Sequence, residues 1–416
     1  MSGLSPHIPP SSRPAESLVE QAPQLEPTGM QMPVTPKAMP PSEKVLSFSS
    51  QLAHERMITP SEVQSAFPET YFASRERFLQ SAEKIHARIF TREIIPRGPD
   101  NERLHIDIAH IGAEAPRKLI LHLAGVHGVE GFVGSAVQYE LLRATPVLAE
   151  DTALVLVHCL NPYGMAHLRR VTADNVDLNR NLMPAGEKWR GATSIYNLLS
   201  PLLNPSSIGF SWSLYPQLWL KALVHGKENV KDALLHGQYN EPRGLFFGGT
   251  QHEEELVILK DYLTKRFSAA ERVVGIDVHS GLGEFGKQTL FLEIPARRAR
   301  FGLLEKTMGI TLTPEPDDYH DPRKHPRGAL CDELPKFFPK AHVDWFLQEF
   351  GTYNPYRVLA ALRAENCYAH IGHVASRWEA AQKLKEMFAP ADIRWRTAVL
   401  RMGTQAVAQA QLALLV

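Results

Sequence analysis

The sequence predicts an α/β fold with a mixed, largely parallel central sheet and helices on both faces. Three observations carry that expectation. First, KLILHLAGV (118–126), TALVLVHCL (152–160), RVVGIDVHS (272–280) and VDWFLQEFG (343–351) are short strand-like runs. At least three are apolar enough to be buried on both faces, as strands of a covered parallel sheet must be. Second, helical stretches lie between and after them: GFVGSAVQYELLRA, EEELVILKDYLTKRF and NPYRVLAALRAENCYAHIG. Alternation of this kind stacks helices against a sheet. Third, the 416 residues are 44% hydrophobic and 22% charged, a composition able to bury a sizeable core.

The elements follow in order. Residues 1–44 are rich in Pro, Ser, Gln and Glu without a periodic apolar face, and read as a disordered leader. Thr59-Pro60-Ser61-Glu62 fits a capping box with proline at the first helical position. HARIFTREII and RLHIDIAHIG read as two strands joined by a turn at Arg97-Gly-Pro-Asp-Asn. Residues 190–250 interrupt the alternation with Trp-, Leu- and Pro-rich helical stretches, expected to be an insertion over the site.

Lys+Arg and Asp+Glu are equal at 45 each, and no like-charged block suggests a nucleic-acid or membrane partner. Three cysteines without a CxxC pair argue against a disulfide framework or a cysteine-ligated metal. With no long apolar run and no secretory signal, the expected location is cytoplasmic. Oligomeric state is not legible.

The chemistry lies at the strand ends. The pattern HxxE occurs at His127/Glu130, His225/Glu228 and His252/Glu255. The last suits a solvated helix start, where acids favour the helix dipole. His225/Glu228 sits in a polar helix end and turn. Only His127/Glu130, in LHLAGVHGVEG, directly follows a buried strand, among glycines that permit a sharp turn. An open zinc site needs three protein ligands, often two histidines and a carboxylate. His279, closing RVVGIDVHS, is the third ligand the pattern points to. His122 and His158 are rivals, but they fall inside apolar runs where core histidines are expected. NPYGMAHLRRVTADNVDLNRN (161–181) leaves a strand directly and concentrates Arg169, Arg170, Arg180 and four asparagines, an anion-recognising loop.

HGVEG, NPYG…R…DLNRN, DVHSG and a late strand ending Glu-Phe-Gly, in that order, resemble the zinc carboxypeptidase superfamily. That superfamily includes the succinylglutamate desuccinylase and aspartoacylase group, and the nearest branch is the domain of unknown function numbered 2817. The resemblance spans roughly residues 60–390 and implies a single catalytic domain over 60–416. It implies zinc held by His127, Glu130 and His279. It further implies Asn179 and Arg180 as the pair holding a substrate carboxylate, Arg170 as the residue polarising the scissile carbonyl, and Glu349 as the catalytic glutamate. Glu365 competes with Glu349, but it lies within a helical pattern where a glutamate is usually solvated. No tyrosine stands in the register of the family's mobile tyrosine; Tyr319 or a histidine of YHDPRKHPRG occupies that region. Gln238 and Tyr239 either face the site or serve a turn.

The expected activity is metallocarboxypeptidase-like: hydrolysis of an amide or peptide bond next to a free carboxylate, on a small peptide or acyl-amino-acid substrate. The alternative in that class is an N-acyl-amino-acid deacylase. A serine hydrolase is disfavoured, because Ser280 in VHSGLG lacks the glycine two residues before a nucleophile elbow serine. A non-catalytic zinc-binding protein is the remaining alternative.

Overall fold

A strand covered on both faces has no place for a solvated side chain, and Thr152–His158 is buried at every position. It forms the heart of a seven-stranded sheet in a computed structural model that describes residues 58–206, 214–292, 298–313 and 326–416. The leader expected at 1–44 lies outside the described residues, as do Tyr319, His320 and His325.

The strands are β1 Arg88–Arg97, β2 Arg103–Gly112, β3 Lys118–Leu123, β4 Thr152–His158, β5 Arg272–Ser280, β6 Gln288–Leu292 and β7 His342–Phe350. Their order is β1-β2-β4-β3-β5-β7-β6. The four central strands, β4, β3, β5 and β7, run parallel, while β1, β2 and β6 pair antiparallel at the flanks. The fold is therefore the expected α/β class with a mixed sheet. β3 connects outward to β4 and the chain then returns past β3 to β5, so the order reverses between β3 and β5. Ligand sites of open α/β sheets form at such a reversal, beyond the carboxyl ends of the strands.

Packing fixes the register. Gly275 of β5 pairs with Trp345 of β7, and a Cβ at 275 would lie 2.0 Å from the indole. The glycine inside RVVGIDVHS therefore makes room for a fully buried tryptophan. Helices Gly131–Arg143 and Ile393–Ala413 pack on each other and against β5, and the latter also reaches β3. The capping box forms: Thr59 Oγ1 accepts from the Glu62 N–H, and Glu62 Oε2 accepts from the Thr59 N–H.

Helices Ser194–Leu203, Leu214–His225 and Lys227–His236 occupy most of the region that breaks the alternation. Their inward residues, among them Tyr196, Leu199 and Leu218, form a second apolar cluster with Val358, Leu362 and Val129. Val129 lies between His127 and Glu130, so this cluster reaches the loop carrying both. No helix among the described residues is long and apolar enough to cross a membrane.

Candidate metal centre

His127 follows β3 by four residues and opens the one-turn 3-10 helix Gly128–Glu130. The close packing of that turn demands glycine. A Cβ on Gly128 would lie 2.2 Å from the Gly164 carbonyl carbon. The turn hangs from the arginine loop: the Gly128 N–H donates to the Arg170 carbonyl (3.0 Å) and the Val129 N–H to the Arg169 carbonyl (2.8 Å). His279 lies near the end of β5, and its register partner on β7 is Glu349. Adjacent strand ends thus place three of the expected side chains together.

His127, Glu130 and His279 are buried and form a cluster whose ligand atoms all lie within 4.8 Å of one another. His127 Nδ1 is 3.0 Å from Glu130 Oε1. His279 Nδ1 is 3.1 Å from Glu130 Oε2 and 3.1 Å from His127 Nδ1. Glu130 Oε2 also accepts from the Ser280 N–H at 3.0 Å.

Behind each imidazole stands a carboxylate. His127 Nε2 is 3.0 Å from Asp177 Oδ1. His279 Nε2 is 3.0 Å from Asp277 Oδ2, an ion-pair contact. A carboxylate accepts only, so both contacts favour the proton on Nε2 and leave Nδ1 bare. Two bare nitrogens and a carboxylate then crowd one point. That donor set fits a cation. Tetrahedral ligands about 2.0–2.1 Å from a zinc ion stand about 3.3 Å apart, close to the separations here.

The charge balance agrees. Glu130, Asp177 and Asp277 are three buried carboxylates, and the Arg170 guanidinium pairs with the first two. Burial pushes the Glu130 carboxyl up, but His127 and His279 overcome it and hold it well below the usual range. Burial likewise opposes charge on His279, yet Asp277 and Glu130 raise its pKa well above the ordinary value.

Asp177 ties the arginine loop to this cluster. It caps the turn Leu178–Arg180, and Burial notwithstanding, Arg170, His127 and Arg180 hold its pKa far below normal. Arg170 Nη1 donates to Glu130 Oε1 (3.0 Å) and Nε to Asp177 Oδ2 (3.2 Å). Asn179 lies two residues beyond Asp177, and its Oδ1 accepts from the Leu330 N–H at 3.0 Å. Arg180 Nη1 donates to the Asn179 carbonyl at 2.7 Å, while its Nε is buried with no hydrogen-bond partner among the described residues.

Glu349 Oε1 accepts from the Leu282 N–H at 2.8 Å. Burial, then the Glu130 charge, pushes its pKa up to about 8, against the pull of His279, the Leu282 amide and Arg170.

Several expectations meet different surroundings. Glu365 is not solvated: it is buried and accepts from Arg169 Nε at 2.7 Å. Glu255 is also buried, because it faces inward beside Leu256 and Leu259 rather than toward solvent. His252 instead contacts the Met183 carbonyl at 3.1 Å. Gln238 serves a turn, its Oε1 accepting from the Asn240 and Glu241 amides. The Tyr239 hydroxyl lies 2.6 Å from the Arg180 carbonyl. His122 and His158 are core histidines bonded to Gln138 and Ser135. Ser280 Oγ donates to the Phe388 carbonyl. Asp177 and Asp277 were given no role by the sequence. The available signals were an aspartate opening DLNRN and one two residues before His279 on the same strand face.

Solved structures align with this chain at low identity and low TM-score. A metallo-carboxypeptidase from Burkholderia cenocepacia is 10% identical with TM-score 0.42, covering 82% of this chain and 68% of its own. The murein-tripeptide amidase MpaA from Escherichia coli O157 is 17% identical with TM-score 0.33, over 65% and 88%. An aspartoacylase family protein from Mesorhizobium loti is 14% identical with TM-score 0.32, over 68% and 67%. No curated protein matches the chain. The family model described as Protein of unknown function (DUF2817) matches residues 67–402, and the chain belongs to that family.

Proposed function

We propose that the protein is a zinc-dependent hydrolase cleaving an amide or peptide bond next to a free carboxylate. The observation that carries this reading is the pair of imidazole Nδ1 atoms turned onto one glutamate. His127, Glu130 and His279 would hold the metal. Bound zinc supplies a Lewis acid and lowers the pKa of its water from about 15.7 to about 7.

The other steps belong to this chain's side chains. Glu349, the register partner of His279, offers a carboxylate to take a proton from the attacking water and return it to the leaving amine. Arg170 supplies fixed positive charge where the carbonyl oxygen becomes negative, and preorganised charge of this kind contributes about 3–4 kcal/mol per donor. Its bonds to Glu130 and Asp177 hold the guanidinium against the ligand cluster. Asn179 and Arg180 would grip the substrate carboxylate and so position the bond to be cut. The partly satisfied Arg180, whose buried Nε has no hydrogen-bond partner among the described residues, supports an anion-binding role.

Small peptides with a free C-terminus and N-acyl amino acids both present an amide beside a carboxylate. The test is to supply zinc-loaded protein with both classes and measure product release before and after chelation. Release of an amino acid from either class, lost with the metal and restored by zinc, supports the reading. Turnover that survives complete metal removal contradicts it, and activity on neither class removes its support.

A further inference from the structure

The buried ion pair between Glu365 and Arg169 sits one step behind the metal loop. Glu365 lies on the helix Pro355–Ile371, and its Oε1 accepts from Arg169 Nε at 2.7 Å. Arg169 Nη2 donates to Asn175 Oδ1 at 3.0 Å, so the guanidinium is held from two sides. The backbone of this arginine does something else. Its carbonyl accepts from the Val129 N–H at 2.8 Å, and the next carbonyl, of Arg170, accepts from the Gly128 N–H at 3.0 Å. Those two amides lie between His127 and Glu130, the two candidate ligands of the loop.

We infer that Glu365 is a positioning residue for the metal centre, acting through Arg169 on the turn that presents His127 and Glu130. The inference rests on the metal reading above. A 3-10 turn of three residues cannot hold two ligands rigidly by its own bonds, and here its free amides are satisfied by carbonyls of a neighbouring loop. That loop is anchored in turn by a charged pair in a buried setting. Burial pushes the Glu365 carboxyl up and Arg169 opposes this. Removing one partner therefore leaves the other buried and uncompensated, which drives it to move. The loop, and the ligand spacing with it, moves too. Groups that orient metal ligands typically change affinity about 10–100-fold when lost; one step further out, about 10-fold is expected.

The test measures zinc affinity of the full-length protein by chelator competition, for wild type, E365Q, E365D and N366A. Asn366 is the neighbouring buried residue on the same helix, but it donates to the Arg243 carbonyl and, among the described residues, has no bond to the turn Gly128–Glu130. It serves as the control for general loosening of the helix. Zinc binding about tenfold weaker in E365Q, an intermediate loss in E365D and unchanged affinity in N366A support the positioning role. If E365Q does not fold, the E365D and N366A comparison decides alone. Affinity of the Glu365 variants within twofold of wild type, or equal weakening in N366A, overturns the inference while the metal centre stands. A wild type that binds no zinc overturns both.

Discussion

His127 and His279 turn their Nδ1 atoms toward each other at 3.1 Å, and each has a carboxylate 3.0 Å behind its Nε2. The stronger of those supports is Asp177, because it also caps the Leu178–Arg180 turn and accepts from Arg170. Replacing Asp177 with asparagine keeps the shape but permits the wrong imidazole tautomer. Zinc affinity should fall about 10–100-fold, measured by competition with a chromophoric chelator. An affinity equal to wild type would show that Asp177 does not orient His127.

Glu349→Gln removes the carboxyl that is assigned the proton transfer without removing a metal ligand. Turnover should drop about 10²–10⁴-fold while bound zinc stays stoichiometric. Unchanged turnover would move the base elsewhere. The rival Glu365 would not be the substitute, since its carboxylate is committed to Arg169.

Arg180→Lys replaces a planar fork with a point charge at the proposed carboxylate grip. KM for a substrate with a free carboxylate should rise, with a smaller change for the same substrate amidated. Equal effects on both forms would contradict a carboxylate-specific contact, and point to loss of the Asn179 carbonyl bond as a purely structural defect.

Glu255 offers a pH signature away from the candidate metal centre. It is 3% exposed, and burial, reinforced by Glu253, Glu254 and Asp174, raises its pKa to about 8 against a bond to its own backbone. The folded state therefore keeps a proton that the unfolded chain releases from about pH 4.5 upward. Stability from this group is fully present below that pH and is lost as pH rises toward 8. The loss runs at up to about 1.4 kcal/mol per pH unit. Glu255→Gln should flatten the fall of Tm between pH 5 and 8, and parallel Tm profiles for the two proteins would contradict the assignment.

How much of this was legible in the sequence depends on the range of the interaction. β3, β4 and β5 read clearly because parallel strands covered on both faces are largely apolar. β6, QTLFL, did not: it is a five-residue edge strand, only half buried, and nothing local marks it. His127/Glu130 separated from its two decoys because the strand before it is local information. The burial of Glu365 and Glu255 was illegible. Within a helix, a glutamate's fate depends on what packs against that face: Arg169 meets Glu365 from 196 positions away. Asp177 was missed for the same reason, since its partner His127 lies 50 positions earlier.

The central claim is that three side chains from two strand ends make one metal site. Its most direct test is metal content by elemental analysis, on wild type and on His279→Ala, after zinc loading and removal of free ion. One zinc per wild-type chain, lost in a variant that keeps the wild-type far-UV circular dichroism, is the predicted result. A wild type without bound metal, or a His279→Ala protein that retains it in full, contradicts the claim.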